Sequence, residues 1–349
     1  MKRVVFAVPG SLDTPTGGYA YDRRIVAELR RLGWDVECLD IGEGFPSPDE
    51  ATRSAARSLL LKVPDGQPIM VDGLALGVLP DVAAEIASRH PLLGLVHHPL
   101  ALEWGLPAER AETLHRSEQA ALALVHEVVV TSPTTAKLVA SHYGVPADHI
   151  TVARPGSDPA PRSRGSRSEV PHLLSVGAVV PRKGFDVLLA ALATLAELPW
   201  QLTIAGDLTR DLNEAARLDV SISQHKLVGR VAALGAVSSE RLAALYDDAD
   251  VFVLASRYEG YGMAYAEALS HGLPVIGTTA GAIPDTVPQA AGLLVAPGDV
   301  AELAEALRRV IAYTELRRRL SEGALASART LPTWQQSGAI FAAVLEKLA

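Results

Sequence analysis

Val251–Gly277, VFVLASRYEGYGMAYAEALSHGLPVIG, holds a complete folding unit in one short stretch. Val251 to Ala255 is an apolar, partly β-branched run of the length of a buried strand. Gly260 and Gly262 interrupt it. Met263 to Ser270 then carries apolar residues at helical spacing until Gly272 and Pro274 stop the helix, and Val275 to Gly277 starts another strand. A strand, a helix and a second strand of this kind belong to a parallel sheet with helices packed on its faces.

The same alternation extends in both directions. Downstream of a connector lie His172 to Val176, a helix over Val187 to Leu198, Gln201 to Ala205, a helix over Ser239 to Tyr246 and a helix over Val300 to Tyr313. Upstream, Val4 to Val8, Ile69 to Val71, Leu92 to Val96 and Val128 to Thr131 read as strands, with helices at Asp22 to Leu32 and Ala111 to Leu124. The apolar start after Met1-Lys2-Arg3 ends at Pro9-Gly10, too soon for a signal peptide, and reads as a first strand. Pro155 to Pro171 is rich in Pro, Ser, Arg and Gly and has no face to bury, so it reads as a linker. A chain of 349 residues suits two domains. The expectation is an α/β protein with Rossmann-like domains at 1–165 and 166–330 whose parallel sheets face each other across a cleft. A C-terminal helix at 331–349 is placed to pack back on the first domain.

Composition narrows the function. The formal net charge is -8, which lacks the basic footprint of a nucleic-acid binder. No apolar run is long enough to span a bilayer, and no basic run announces an anionic membrane surface, although a peripheral contact stays open. The single cysteine, Cys38, fits a reducing compartment and excludes a multi-cysteine metal site, so a cytoplasmic location is expected.

In parallel sheets, ligands bind beyond the carboxyl ends of the strands, which directs attention to four loops. Gly17-Gly18 precedes a helix whose free N–H groups suit an anion, with Tyr19 beside it on the acceptor side. The same pair also fits a plain flexible turn. His97-His98 follows the strand Leu92 to Val96, where an imidazole can donate to a hydroxyl or stabilise developing charge. No carboxylate or cysteine lies beside this pair at metal spacing, so no metal is expected. Gly177 to Gly184 contains Arg182 and Lys183 between glycines, a pattern able to clamp a diphosphate and also common on solvated surfaces. Glu259-Gly260-Tyr261-Gly262-Met263, with Glu267 farther along the helix, is the most specific of the four. Its carboxylates can accept from sugar or ribose hydroxyls while the N–H groups of Gly262 and Met263 meet phosphate oxygens.

The order of these last two loops resembles the GT-B glycosyltransferases of family 4. LTIAGD at Leu202–Asp207, RVAALGAV at Arg230–Val237, LYDDADVFVLAS at Leu245–Ser256 and LPVIGTTAG at Leu273–Gly281 surround them. The likeness is dense over Leu173 to Leu307 and looser before it. It implies a retaining transfer of a hexose from a UDP- or GDP-sugar bound by the second domain, with the acceptor on the first. By the same resemblance Glu259 binds the transferred sugar, Glu267 the ribose and Lys183 the diphosphate, with Arg182 assisting and Gly177, Gly206 and Val237 lining the donor. His97 matches the active-site histidine, with His98 as the alternative register. The acceptor, whether lipid, glycan or small molecule, is not encoded in a readable way, and no cofactor is implied.

One position departs from the family pattern. Ala178 stands where an arginine usually follows the glycine of the phosphate loop, so Arg182 takes over that charge, the donor sits differently, or activity is weakened. Asp248-Ala249-Asp250 resembles a metal-binding Asp-x-Asp, yet it precedes the strand Val251 to Ala255 and so falls at its amino end. Two other readings stand beside the transferase. A dinucleotide-dependent oxidoreductase would share the fold, but the spaced-glycine fingerprint is missing. A binding protein that kept the fold and lost catalysis would fit Ala178.

Overall fold

The computed structural model describes residues 2–348. The chain divides into two compact units, one running to Gly156 and resuming at Pro332, the other Ser157–Leu331. Each is built on a six-stranded sheet in which every pairing is parallel.

The first sheet consists of β1 (Arg3–Val8), β2 (Asp35–Asp40), β3 (Ile69–Asp72), β4 (Leu92–Val96), β5 (Glu127–Val130) and β6 (Ile150–Val152), in the order β2-β1-β3-β4-β5-β6. The second consists of β7 (His172–Val176), β8 (Gln201–Ala205), β9 (Val231–Ala233), β10 (Val251–Val253), β11 (Val275–Thr278) and β12 (Gly292–Val295), in the order β12-β11-β10-β7-β8-β9. Every residue of β3, β4, β10 and β11 is buried, which is why those segments read as unbroken apolar runs and not as alternating ones. In each sheet the chain winds outward from its first strand, then returns to that strand's other side. The strand order therefore reverses between β1 and β3 and again between β7 and β10, the places where open parallel sheets bind ligands.

Two boundaries differ from the sequence expectation. The helix expected from Asp22 begins at Gly17, because the Thr16 hydroxyl accepts from the Tyr19 N–H and caps it. Asp22 therefore lies inside the helix, on the buried face with Ile25, Val26 and Leu29. The first unit ends at Gly156 and not at 165, because acidic residues around the start of β10 hold the connector on the second unit. The Ser163 hydroxyl donates to the carbonyls of Asp247 and Ala249 at 2.9 and 2.7 Å, and Arg164 pairs with Asp247. Asp250 accepts from the N–H groups of Ser166 and His172 at 3.3 and 2.8 Å. Asp248-Ala249-Asp250 thus sits at the amino end of β10, where Asp250 organises backbone.

The helix Trp334–Leu348 belongs to the first unit and packs on the helix Gly17–Arg31. Tyr21 meets Trp334 and Phe341 at ring separations of 6.0 and 6.1 Å, and Ser337 donates to the Arg154 carbonyl at 2.6 Å. The two helices approach closely at Gly338, where a Cβ would lie 2.3 Å from that of Glu28. Among the described residues, no helix is long and apolar enough to cross a membrane.

Phe341 is fully buried in this helix pair. Phe341→Ala is expected to destabilise the first unit by about 3–5 kcal/mol through lost burial and a residual cavity. Denaturant unfolding followed by Trp fluorescence measures this, and an unchanged first transition would refute the assigned packing.

Candidate active site

In the second unit, the reversal between β7 and β10 brings the basic turn after β7 against the loop after β10. Gly184 makes the contact possible. It has φ 66°, and a Cβ there would fall 2.1 Å from the Ala255 carbonyl oxygen. The preceding turn, Pro181–Lys183, consequently presents both cations to Glu259. Lys183 Nζ donates to Glu259 Oε1 at 2.6 Å, and Arg182 Nη1 donates to Oε2 at 3.1 Å and to the Tyr258 carbonyl at 2.8 Å. The Ser256 hydroxyl adds a third donor to the carboxylate at 2.7 Å.

The surrounding loops brace this cluster. Arg257 donates through its backbone N–H to the Arg182 carbonyl at 2.7 Å, and through its guanidinium to the Pro181 carbonyl and Asp186 Oδ2, each at 2.6 Å. Thr278, at the end of β11, donates to the Ser256 carbonyl at 2.6 Å, while the Ala282 N–H donates to the Glu259 carbonyl at 2.9 Å. Gly177 lies under the Lys183 stem, where a Cβ would be 3.1 Å from Cε, and Gly206 abuts Gly177 backbone to backbone. Ala178 lies beside them, leaving Arg182 and Lys183 as the cations of the turn.

Gly262, at φ 87°, turns the chain into the helix Met263–Ser270. Tyr261 is buried and its carbonyl accepts from the Thr286 hydroxyl at 2.7 Å; Gly260 and Met263 flank it with part of their surface open. Glu267 lies one helical turn on and points to a different partner, accepting from the Tyr246 hydroxyl at 2.9 Å. Tyr246 in turn stacks on His271 with 4.9 Å between ring centres. Val237 packs on the core edge just before the Ser238 cap of the helix Ser239–Asp248. The structure thus joins Glu259, Arg182 and Lys183 in one cluster and sets Glu267 on its own hydrogen bond.

In the first unit, His97 follows β4. Its Nε2 lies 3.2 Å from Asp22 Oδ1 and 3.5 Å from Asp72 Oδ2, between two carboxylates that are almost wholly buried. Asp72 ends β3 and also accepts from the Leu74 N–H at 2.7 Å. Tyr21 stands edge-on to the imidazole at 5.4 Å, and a Cβ on Gly18 would be 3.7 Å from it. Gly17 and Gly18 therefore form the first turn of the helix beside His97. Tyr19 donates its hydroxyl to the Pro9 carbonyl, and His98 turns away from this cluster to Glu103, 3.3 Å distant. The sequence offers no carboxylate at metal spacing beside the histidines, yet the fold brings two of them to His97. Asp22 and Asp72 are far from His97 in sequence, and only the order of β1, β3 and β4 brings them together. One oxygen each of Asp22 and Asp72 and a ring nitrogen of His97 lie within 4.8 Å of one another, close enough to meet on one small cation.

Burial and charge compete in both places. Burial alone would raise the Glu259 pKa, but Lys183 and Arg182 outweigh it and bring the carboxyl down to about 2. Burial raises Glu267, against the hydrogen bond from Tyr246. In the first unit burial lifts Asp22 to about 6 despite the pull of His97, while His97, disfavoured as a cation by burial, is carried up to about 10 by Asp22 and Asp72. Asp22, Asp72, Ser256, Arg257 and Tyr246 were not singled out from sequence. Asp22 left one trace, a charged residue in register with Ile25, Val26 and Leu29 on an otherwise apolar stripe.

Because Glu259 ionises more readily folded than unfolded, its contribution to stability is complete above the ordinary carboxylate pKa and is lost as pH falls towards 2. Wild type is expected to exceed Glu259→Gln in stability by on the order of 3 kcal/mol near neutrality, with the gap closing in acid. Thermal melts of both proteins across the acid range check this, and a gap independent of pH would contradict the ion cluster.

Residues 157–326 match the family described as Glycosyl transferases group 1. The chain is 29% identical over 327 residues to the MMP alpha-(1->4)-mannosyltransferase of Mycolicibacterium hassiacum, covering 87% of this chain and 76% of that one. It is 31% identical over 250 residues to the D-inositol 3-phosphate glycosyltransferase of Pseudarthrobacter chlorophenolicus, covering 67% of this chain and 58% of the relative, so it spans little more than half of that protein. Among solved structures, a sucrose-phosphate synthase from Thermosynechococcus elongatus superposes with a TM-score of 0.85 at 21% identity, covering 100% of this chain and 99% of that one. Anabaena HepE in complex with UDP-glucose superposes with a TM-score of 0.79 at 21% identity, covering 99% and 100%. At such identities these two report on the fold alone. Residues 157–326 thus match the group 1 glycosyltransferases, and the two six-stranded parallel sheets have GT-B-like structural neighbours.

Proposed function

We propose that the protein transfers a hexose from a UDP- or GDP-linked donor to an acceptor hydroxyl, with retention of configuration and without a metal. The observation that carries this reading is the Glu259 carboxylate held between Lys183 and Arg182 where the strand order reverses. A sugar nucleotide joins a neutral, hydroxyl-rich ring to an anionic diphosphate. A carboxylate accepts from hydroxyls and adjacent cations receive phosphate oxygens, so this pairing suits both ends of the sugar–phosphate linkage.

In the proposed step, the bond from the anomeric carbon to the β-phosphate oxygen breaks and its electron pair leaves with the nucleotide diphosphate. The acceptor oxygen bonds to the same carbon from the same face, and its proton passes to the departing phosphate. Lys183, Arg182 and the amino end of the helix Met263–Ser270 stabilise the negative charge that accumulates, which is the work a metal ion performs elsewhere. Glu267 is assigned the ribose, with Tyr246 orienting its carboxylate. The mannosyltransferase relative supports a hexose donor, and the relative named for D-inositol 3-phosphate supports a small polar acceptor.

Release of free nucleotide from a panel of UDP- and GDP-hexoses, alone and with cell extract, tests the reading directly. One donor is expected to be consumed, and consumption is expected to survive EDTA. Lys183→Ala should lower kcat/KM by about a hundredfold or more, as removal of a charge-stabilising donor does. Glu267→Ala should chiefly weaken nucleotide binding, seen by calorimetry. Binding of NAD with no response to any sugar nucleotide would overturn the proposal.

A further inference from the structure

Asp22 is the least explained charged group in the molecule. It is fully buried inside a helix, and among the described residues neither of its oxygens has a hydrogen-bond partner apart from its approach to His97. A carboxylate in that position is costly unless a positive charge compensates it. Among the described residues, the ion-pair contact of Asp22 is with His97. Arg23 donates to the carbonyls of Leu12 and Thr14, and Arg24 lies over the Trp334 ring at 4.9 Å. Asp72 approaches His97 from the end of β3, Tyr21 offers only a ring edge, and Gly18 offers only backbone. Among the described residues the imidazole is the side chain that approaches both carboxylates, and its positive charge would offset one of the two.

The orientation of the ring follows. Nε2 is buried between the carboxylates, while 20% of the side chain is exposed and nothing among the described residues hydrogen-bonds to Nδ1. In a catalytic triad a single carboxylate holds one imidazole nitrogen and leaves the other as a base. A second carboxylate on the same nitrogen changes that outcome, because a neutral ring would leave two negative charges buried together.

We propose that Asp22 and Asp72 are positioning residues that hold His97 as an imidazolium with Nε2 turned inward, so that it meets a ligand oxygen through Nδ1 as a charged donor and does not serve as a base. The ring's raised proton affinity agrees with this arrangement. Only the kinetic part of the test rests on the transferase reading.

Long-range proton–nitrogen NMR of protein labelled at histidine, with His97 assigned from the His97→Gln spectrum, reads the ring directly. Near neutral pH, both His97 nitrogens are expected to carry protons in wild type, and the charged signature should be lost or weakened in Asp22→Asn. Asp72→Asn, which keeps a side-chain oxygen for the Leu74 N–H, serves as a second variant should the first fail to fold. With a donor identified, each variant should lower kcat by about ten- to a hundredfold, the range seen when an orienting partner is removed, with donor KM nearly constant. A neutral His97 in wild type, an unchanged His97 signature with full kcat in the variants, or a stoichiometric bound metal would overturn the proposal. If no donor is ever turned over, the NMR result still decides it.

Discussion

Glu259 is 7% exposed, and a carboxylate so far from water would cost several kcal/mol if left alone. Its presence dictates much of the surrounding architecture. Two cations, a hydroxyl and a braced backbone all come to it, and they come from loops that would not otherwise touch. That meeting depends on close backbone approach, since any side chain at Gly184 would collide with the Ala255 carbonyl. It depends also on strand order, because β7 and β10 are neighbours only through the reversal of winding between them. Charge, glycine and topology are therefore one constraint. Removing any of them leaves a buried ion without its partner.

The two units answer the same topology with opposite charge. In the second, one anion is held between two cations; in the first, one imidazole lies between two anions. Both clusters draw on segments that follow the strands at the reversal, β1 and β3 in the first unit and β7 and β10 in the second, with His97 coming from the end of the neighbouring β4. Each keeps one member partly open to solvent, His97 in the first unit and the Arg182–Lys183 pair in the second. Buried counter-charges thus fix the orientation of a partly open charged or polar side chain at a boundary with water.

How far the sequence reveals this follows from the range of each interaction. Strands such as Leu92–Val96 and the helix Met263–Ser270 are legible because burial on one or two faces writes a local pattern of apolar residues. The Glu259 loop is legible because its glycines mark a strand-to-helix junction. The start of the helix at Gly17 was obscured by glycines that suggest a turn, although Thr16 supplies a cap. The boundary at Gly156 was obscured because the connector looks exposed until Asp247 and Asp250 are brought to it. Asp22 and Asp72 were hidden for a deeper reason. Their chemistry arises from β1, β3 and β4 lying side by side, and no spacing along the chain records that.

On the proposed reading, the ion cluster also explains why a whole sugar nucleotide is preferred to its parts. A bare phosphate drawn to Lys183 and Arg182 would compete with Glu259 for them and strand the carboxylate without its cations. A free sugar would offer hydroxyls to Glu259 while leaving it fully paired, and so would gain little. Only a ligand carrying both groups can take the cations with its diphosphate and return hydrogen bonds to the carboxylate with its ring. The Ser256 hydroxyl and the Ala282 N–H keep Glu259 in place during that exchange. Selectivity then comes from the cost of leaving half of the exchange unfinished, which contacts summed one at a time would not reveal.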